Sequence, residues 1–217
     1  MEYLAEMAEA ARTKAARIET EAATRCKAQL ASWRWHLAEG DEVEALVGFA
    51  RRADLLIARQ ISQGLLEDLV TSDITERLLI EGGAALLLVP ATWAAEPIGR
   101  RVLVAWNRSR EAIAAVRDAL SFLAIADGVV ILAARDGAAS EPPGADLADY
   151  LAHHSIQASV VAAAGDSDEA ILETAKSQGC DLVVMGGFGH SRLAEFVLGG
   201  ATQFMLRHTT IPVLMRH

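Results

Sequence analysis

The sequence predicts an α/β protein built from two tandem, open, parallel-sheet domains of the Rossmann-like type, the first of them incomplete. Three observations lead to this prediction. Hydrophobic residues make up 52% of the 217 positions, enough to form a folded core. From Arg101 onward, apolar runs alternate with helical patterns, which is typical of a parallel sheet with crossover helices. A single displacement of 127 residues aligns the end of the second half with part of the first half.

The second half starts with a strand and a helix. Val102 to Trp106 is a continuous apolar run, and Ser109 is a suitable N-cap for the helical pattern that follows it. The later elements continue the alternation: a strand at 129–133, a Pro- and Gly-rich loop at 136–144, a short helix at 146–153, a strand at 158–164, a helix capped by Asp166 or Ser167, a strand at 181–185, a helix, and a last strand at 212–215.

The first half repeats only part of this unit. The displacement aligns residues 54–57 with 181–184, residues 75–79 with 202–206, and residues 86–88 with 213–215. Before these come an Ala-rich helix within residues 1–30, a predicted strand near Ser32 to Leu37, and a helix from Asp41 to Ala53. The first strand, first helix and second strand have no counterpart. We therefore predict a degenerate, N-terminally truncated domain at 1–97 and a complete domain at 98–217.

Charge and hydropathy exclude several classes of protein. Lys and Arg total 20 against 29 Asp and Glu, so a nucleic-acid backbone is a poor partner. The longest stretch without a charge, Gly82 to Ala95, is too short to cross a membrane. No basic segment leads into an apolar run at the N-terminus, which favours a cytoplasmic location. Cys26 and Cys180 lie far apart without metal-ligand spacing, so both are predicted to be buried, reduced and structural.

A glycine-rich segment follows the fourth strand of the complete domain. It runs Gly186-Gly187-Phe188-Gly189, and Gly199-Gly200-Ala201-Thr202 then opens the last helix. Glycines let a backbone turn sharply and approach a ligand, and a helix N-terminus offers unpaired N–H groups to an anion. Ligands of open parallel sheets bind at the carboxyl ends of the strands, which places Asn107 opposite this loop. The pattern predicts a phosphate-binding site, although such glycines also occur where a tight turn alone requires them.

With this spacing, the "DLVVMG" strand and the closing "LRHTTIPVLM", residues 98–217 resemble the universal stress protein family. The resemblance implies a five-stranded parallel sheet, like that of the adenine nucleotide alpha hydrolases, that holds ATP or another adenine nucleotide, with or without Mg²⁺. It also implies pairing through last strands, hence a pseudo-dimer within the chain and a possible homodimer. The implied binding residues are Ala105, Trp106, Asn107, Met185, Gly186, Gly189, Gly199, Gly200, Ala201 and Thr202.

Three residues depart from the family pattern. Asn107 and Arg108 stand where the family usually has Asp and Gly, and Gly200 stands where it usually has Ser or Thr. Loss of that hydroxyl removes one phosphate donor, which is worth about 1 kcal/mol. In the first copy, the displacement puts Arg59, Ser62 and Ser72 at three motif glycines, so that copy is predicted to bind no nucleotide.

The leading hypothesis is a regulatory stress-response protein without enzymatic activity, because no catalytic or metal-binding residues are identifiable. His190 and Ser191 are adjacent in the chain, have no evident acidic partner, and make a poor catalytic pair. The alternative is an interaction scaffold of the same fold that has lost nucleotide binding through Asn107 and Gly200. An adenylyl-transfer enzyme would need further motifs that the sequence lacks.

Overall fold

The computed structural model describes residues 2–29, 32–38, 40–60, 67–94, 96–133, 143–163, 168–188 and 200–217. Its helices are α1 (Glu2–Gln29), α2 (Glu42–Ala50), α3 (Glu67–Glu81), α4 (Arg110–Asp118), α5 (Leu120–Ile125), α6 (Ala145–His153), α7 (Asp168–Ser177) and α8 (Gly200–His208). Its strands are β1 (Leu55–Arg59), β2 (Ala85–Val89), β3 (Arg101–Trp106), β4 (Gly128–Ala133), β5 (Ala158–Ala162), β6 (Leu182–Gly186) and β7 (Val213–Arg216). The α/β class predicted from the sequence is confirmed.

The chain divides into two compact units. The first, residues 1–45, contains α1 and the start of α2. The Ala-rich stripe predicted for α1 is largely solvated, with Ile18 43% exposed. Asp41 begins α2 by accepting a hydrogen bond from the backbone N–H of Glu44 at 2.9 Å, as expected of an N-cap.

The second unit, residues 46–217, contains one seven-stranded sheet in the order β1-β2-β7-β6-β3-β4-β5. Neighbouring strands are parallel except β2 and β7, which are antiparallel. The strands carry near-continuous apolar residues because both faces of the sheet are buried, one under a core around Leu103 and the other under a core around Val104. The predicted open sheet with parallel strands inside each copy is confirmed, and the strands of the two copies join into one sheet through the antiparallel β2–β7 pair.

The repeat of 127 residues is visible in the strand register. Leu56 faces Leu86 in the β1–β2 pair, and Val183 faces Val213 in the β6–β7 pair, each 127 positions later. Leu87 faces Leu214 at the centre of the antiparallel β2–β7 pair, so this contact is symmetric under the same displacement. The two copies thus meet through equivalent strands. The bounds 1–97 and 98–217 stay a prediction.

The predicted strand near Ser32 to Leu37 is wrong, since the described residues 32–38 form no strand. Its counterpart in the second copy is β5, which pairs with β4. The first copy lacks a counterpart of β4, so the segment has no neighbour to complete its backbone hydrogen bonds. Trp33 and Trp35 are half-buried and their neighbours are exposed, as in a strand, although the segment forms no strand.

Asp181 fixes the entry into the sheet of the second copy. Its carboxylate accepts backbone N–H bonds from Gly99, Arg100 and Arg101 at 3.0–3.1 Å. This ties the start of β3 to the start of β6, so the two strands begin at the same level. Asp54, its counterpart in the first copy, is exposed.

Both cysteines are free thiols; the predicted burial is confirmed for Cys180 and wrong for Cys26, which is only half-buried on α1. Cys180 is buried, and burial raises the pKa of its thiol, which makes it a poor nucleophile at neutral pH. Among the described helices, none is long and apolar enough to span a membrane.

Candidate functional site

The candidate site lies where β3 and β6 end. These strands are parallel neighbours, and Ala105 pairs with Met185 in the last step of the shared ladder. From β3 the chain crosses to β4 on one side, whereas β6 and β7 lie on the other side. The strand order therefore reverses between β3 and β6, and ligands of open parallel sheets bind at the carboxyl ends of the strands beside such a reversal. The sequence predicted the same pair of strand ends.

The end of β6 is tied to the start of α8. Beyond Gly186 the backbone N–H of Gly187 donates to the carbonyl of Arg216 at 2.8 Å. Phe188 adopts a left-handed backbone with φ of 55°, and its N–H donates to Oγ1 of Thr202 at 3.0 Å. Thr202 is buried, so its hydroxyl connects this loop to the helix by a hydrogen bond. The N-terminus of α8 is thereby held beside the end of β6.

Gly186 lies against the first turn of α4. A Cβ added there would come within 2.7 Å of the backbone nitrogen of Ala112 and 2.9 Å of the Cβ of Glu111. A side chain at this position would force α4 away from the strand. Packing alone thus explains this glycine, whether or not a ligand also approaches it.

The loop after β3 has a hydrogen-bonded structure of its own. Oδ1 of Asn107 accepts from the N–H of Ser109 at 3.1 Å, and Oγ of Ser109 accepts from the N–H of Ala112 at 3.1 Å, which caps α4 as predicted. Asn107 is exposed directly after the end of β3. Trp106 is 8% exposed, and its indole belongs to the core, so it can meet a ligand only through its backbone.

Arg108 and Asp146 form a cluster that sequence reasoning missed. Arg108 has φ of 61°, a left-handed conformation that is uncommon for a residue other than glycine. Its Nε donates to Oδ2 of Asp146 at 2.9 Å, and Oδ1 of the same carboxylate accepts from Nε1 of Trp106 at 3.1 Å. The cluster ties the end of β3 to the first turn of α6. Its only signal in the sequence is an acid in the first turn of a helix, two positions after Gly144.

Glu111 is a buried carboxylate next to the site. It is 4% exposed and accepts a hydrogen bond from Nε of Arg110, whose side chain is 82% exposed. Burial by itself would raise the pKa of Glu111, but the bond from Arg110, its own backbone N–H and the positive charges of Arg110 and His217 outweigh burial and lower it. The carboxylate is therefore ionised at neutral pH.

The remaining predicted residues divide into two groups. Gly200 is exposed at the first turn of α8, and Ala201 follows it half-buried. Gly189 and Gly199, together with His190, Ser191 and Arg192, lie outside the described residues. In the first copy, Arg59 occupies the position of Gly186 and donates to the carbonyl of Ala91 at 2.6 Å, whereas Ser62 lies outside the described residues. In the described part of the chain, no three His, Cys, Asp or Glu side chains form a group that could hold a metal ion.

Comparison with known proteins decides the family. Residues 133–217 match the model of the Universal stress protein family. This part of the chain belongs to the universal stress protein family. A curated relative, "Universal stress protein Slr1230" from Synechocystis sp., is 44% identical over 50 residues, which are 23% of this chain and 17% of that protein. The resemblance predicted from the glycine spacing is confirmed.

One solved structure shares the fold of the chain beyond the residues that the family model matches. The crystal structure of a universal stress protein from Archaeoglobus fulgidus covers 99% of this chain and 78% of its own, with a TM-score of 0.79 and 18% sequence identity. At that identity the likeness is one of fold. It includes the first half of the chain, which the family model does not reach.

Proposed function

We propose that the chain is an adenine-nucleotide-binding universal stress protein, with ATP held by the second copy at the ends of β3 and β6. One observation carries the proposal: the switch point between Ala105 and Met185 adjoins the N-terminus of α8, which the bond from Phe188 to Thr202 holds in place. A nucleotide needs a site for its anionic phosphates beside a site for its base. The family match of residues 133–217 supports the same assignment.

The phosphate end of the proposed site is the first turn of α8. Backbone N–H groups in the first turn of a helix have no partner inside the helix, and the helix dipole favours an anion there. Gly200 is exposed and presents no side chain to obstruct a phosphate. These donors fit the phosphate chain of ATP. Any Mg²⁺ would be bound by the phosphates, because the described residues supply no cluster of carboxylates for it.

The nucleoside end of the proposed site is the loop after β3. Asn107 is exposed there, and its Oδ1 is already used by Ser109, which leaves the amide NH₂ to donate to a ribose or base acceptor. The carboxylate of Asp146 is engaged by Trp106 and Arg108 and is not offered to the ligand as an anion. This end of the site therefore recognises the nucleoside through neutral donors and backbone groups.

We further propose that the first copy acts as an internal partner. Its β2 pairs with β7 about the Leu87–Leu214 centre, so the first copy covers the edge of the last strand of the complete copy. The role of the whole protein would be regulatory and cytoplasmic, with the ligand controlling contacts with other proteins. The carboxylates and hydroxyls near the candidate site are engaged in structural hydrogen bonds, so we expect no enzymatic turnover; they are Ser109, Glu111, Asp146 and Thr202.

A scaffold without nucleotide is the second candidate. Two observations favour it: packing against α4 suffices to explain Gly186, and Asn107 already has a local hydrogen-bond partner. This candidate predicts the same stability and oligomeric state with and without ATP.

A pair of variants at Gly200 separates the two candidates. Gly200→Pro removes one backbone N–H but suits the first turn of a helix, whereas Gly200→Ala keeps the N–H. A hydrogen bond to a charged phosphate is worth about 1.5–3 kcal/mol, so Gly200→Pro should weaken ATP binding by about ten- to a hundredfold. Fluorescence titration with an ATP analogue measures this. Equal affinities for both variants and the wild type would contradict the proposed phosphate site, and no binding by any of them would favour the scaffold.

A further inference from the structure

One face of β1 lacks the helix that covers its counterpart in the second copy. Ile57 is 66% exposed, whereas Val184, which lies 127 positions later in β6, is fully buried. In the second copy that face packs under α4, whose Ala112 and Val116 belong to the same core as Val184. Among the described helices of the first copy, the 127-residue displacement assigns none to α4, and Ile57 is exposed to solvent.

Among the described strands, none pairs with the outer edge of β1, whereas its counterpart β6 has a strand on each side. β6 pairs with β7 on one side and with β3 on the other. β1 pairs with β2 and stands at the end of the sheet order. Exposed edge strands are normally protected by proline, lysine, a bulge or a covering segment. Residues Leu55 to Ala58 contain no proline or charge, and the one charge of the strand lies at its last residue, Arg59.

We propose that β1 is an interface that pairs antiparallel with β1 of a second copy of this chain. The charges at the two ends of the strand favour this partner and direction. Asp54 precedes the strand and Arg59 ends it, so antiparallel pairing brings the acidic end of one copy to the basic end of the other. A parallel arrangement would place Arg59 beside Arg59 of the other copy, which is unfavourable.

A register centred on Ile57 satisfies the remaining side chains. In it, Ile57 faces Ile57 of the second copy, Leu56 faces Ala58, and Arg59 faces Leu55, so no like charges lie opposite each other. A two-fold axis perpendicular to the sheet requires a residue to face itself in this way. The chain already contains a pairing of this kind, since β2 and β7 meet antiparallel about Leu87 and Leu214. The second pairing would join two seven-stranded sheets into one continuous sheet and bury both exposed isoleucines.

Sedimentation equilibrium of the full chain tests this interface. We expect a dimer for the wild type. Ile57→Lys should raise the dimer dissociation constant by about a hundredfold or more, because two apolar side chains leave the interface and two like charges enter it. The matched control is Val160→Lys, which places the same charge on β5 at the opposite edge, where Val160 is 42% exposed. This control should remain dimeric.

Spin labelling gives a second readout that does not depend on a disruptive charge. In a Cys26→Ser background, Ile57→Cys provides one accessible thiol, because Cys180 is buried. Residues directly opposite in antiparallel strands lie about 4.5–5.5 Å apart between Cα atoms, so labels at position 57 should show strong dipolar broadening. Labels at Val160→Cys should show none. A monomeric wild type, a dimer that survives Ile57→Lys, loss of the dimer in Val160→Lys, or sharp spectra at position 57 would each overturn the proposal.

Discussion

Gly186→Ala tests how tightly β6 and α4 approach each other. The new Cβ would lie 2.7 Å from the nitrogen of Ala112, and both that atom and the nearby carbon of Glu111 belong to the backbone. To reach the ~3.5 Å of a comfortable contact, helix and strand must separate by roughly 0.8 Å. Overpacking of this kind costs about 1–3 kcal/mol of unfolding free energy. For a chain of this length, the thermal midpoint should fall by about 2–12 °C.

The matched control is Gly48→Ala. A Cβ at Gly48 meets nothing within 4 Å, and alanine favours the helix there by about 0.5–1 kcal/mol. Thermal unfolding followed by circular dichroism without nucleotide measures both variants. We expect Gly186→Ala to lower the midpoint and Gly48→Ala to leave it unchanged or raise it. An unchanged midpoint for Gly186→Ala would refute the packing explanation and assign this glycine to ligand binding alone.

Three further predictions concern stability around the site. Asp181→Asn should cost about 2 kcal/mol, because three backbone N–H groups share its carboxylate. Thr202→Val should cost about 1–2 kcal/mol, because the N–H of Phe188 loses its acceptor. Glu111→Gln should make the free energy of unfolding less dependent on pH in the acid range. The pKa of Glu111 is lowered in the folded state, so its ionised carboxylate stabilises the protein at neutral pH, and this stabilisation is lost as the pH falls through that pKa. Urea unfolding, measured across pH for Glu111→Gln, gives all three values.

Each of these predictions has its own control. Asp54→Asn changes the equivalent residue of the first copy, which is exposed, and should leave stability within about 0.5 kcal/mol. Thr202→Ser keeps the hydroxyl and should recover most of the loss. Equal effects at Asp54 and Asp181, or no recovery in Thr202→Ser, would contradict these interpretations. For Glu111, the difference from the wild type must shrink as the pH falls, and a difference that grows would reverse the predicted sign.

The sequence predicted the parts of the fold that depend on local pattern and repetition. The 127-residue displacement predicted the matching registers of β1–β2 and β6–β7, because equivalent apolar strands pack in equivalent ways. It could not predict that Ser32 to Leu37 would form no strand, because strand formation depends on a neighbour as well as on alternation. Trp33 and Trp35 keep the pattern after the neighbouring strand is gone.

The candidate site was predictable in its position but not in its contacts. Strand ends and glycines indicated where Ala105, Met185 and Gly186 would meet. The left-handed backbone of Arg108 could not be predicted from the arginine itself, because this conformation is normally adopted by glycine. In this chain the side chain of Arg108 is held by a contact from elsewhere in the fold. That contact is Asp146, 38 positions away, and only the fold brings the two together.

The stoichiometry of ATP binding tests the central claim most directly. Titration calorimetry of the nucleotide-free, 217-residue chain should give one ATP bound per chain, because the proposed site lies at the ends of β3 and β6 and the first copy has Arg59 in place of the corresponding glycine. Mass spectrometry of the denatured, freshly purified protein should release the same adenine nucleotide. Two sites per chain would contradict the assignment of the first copy as degenerate, and no heat together with no released nucleotide would contradict nucleotide binding by this protein.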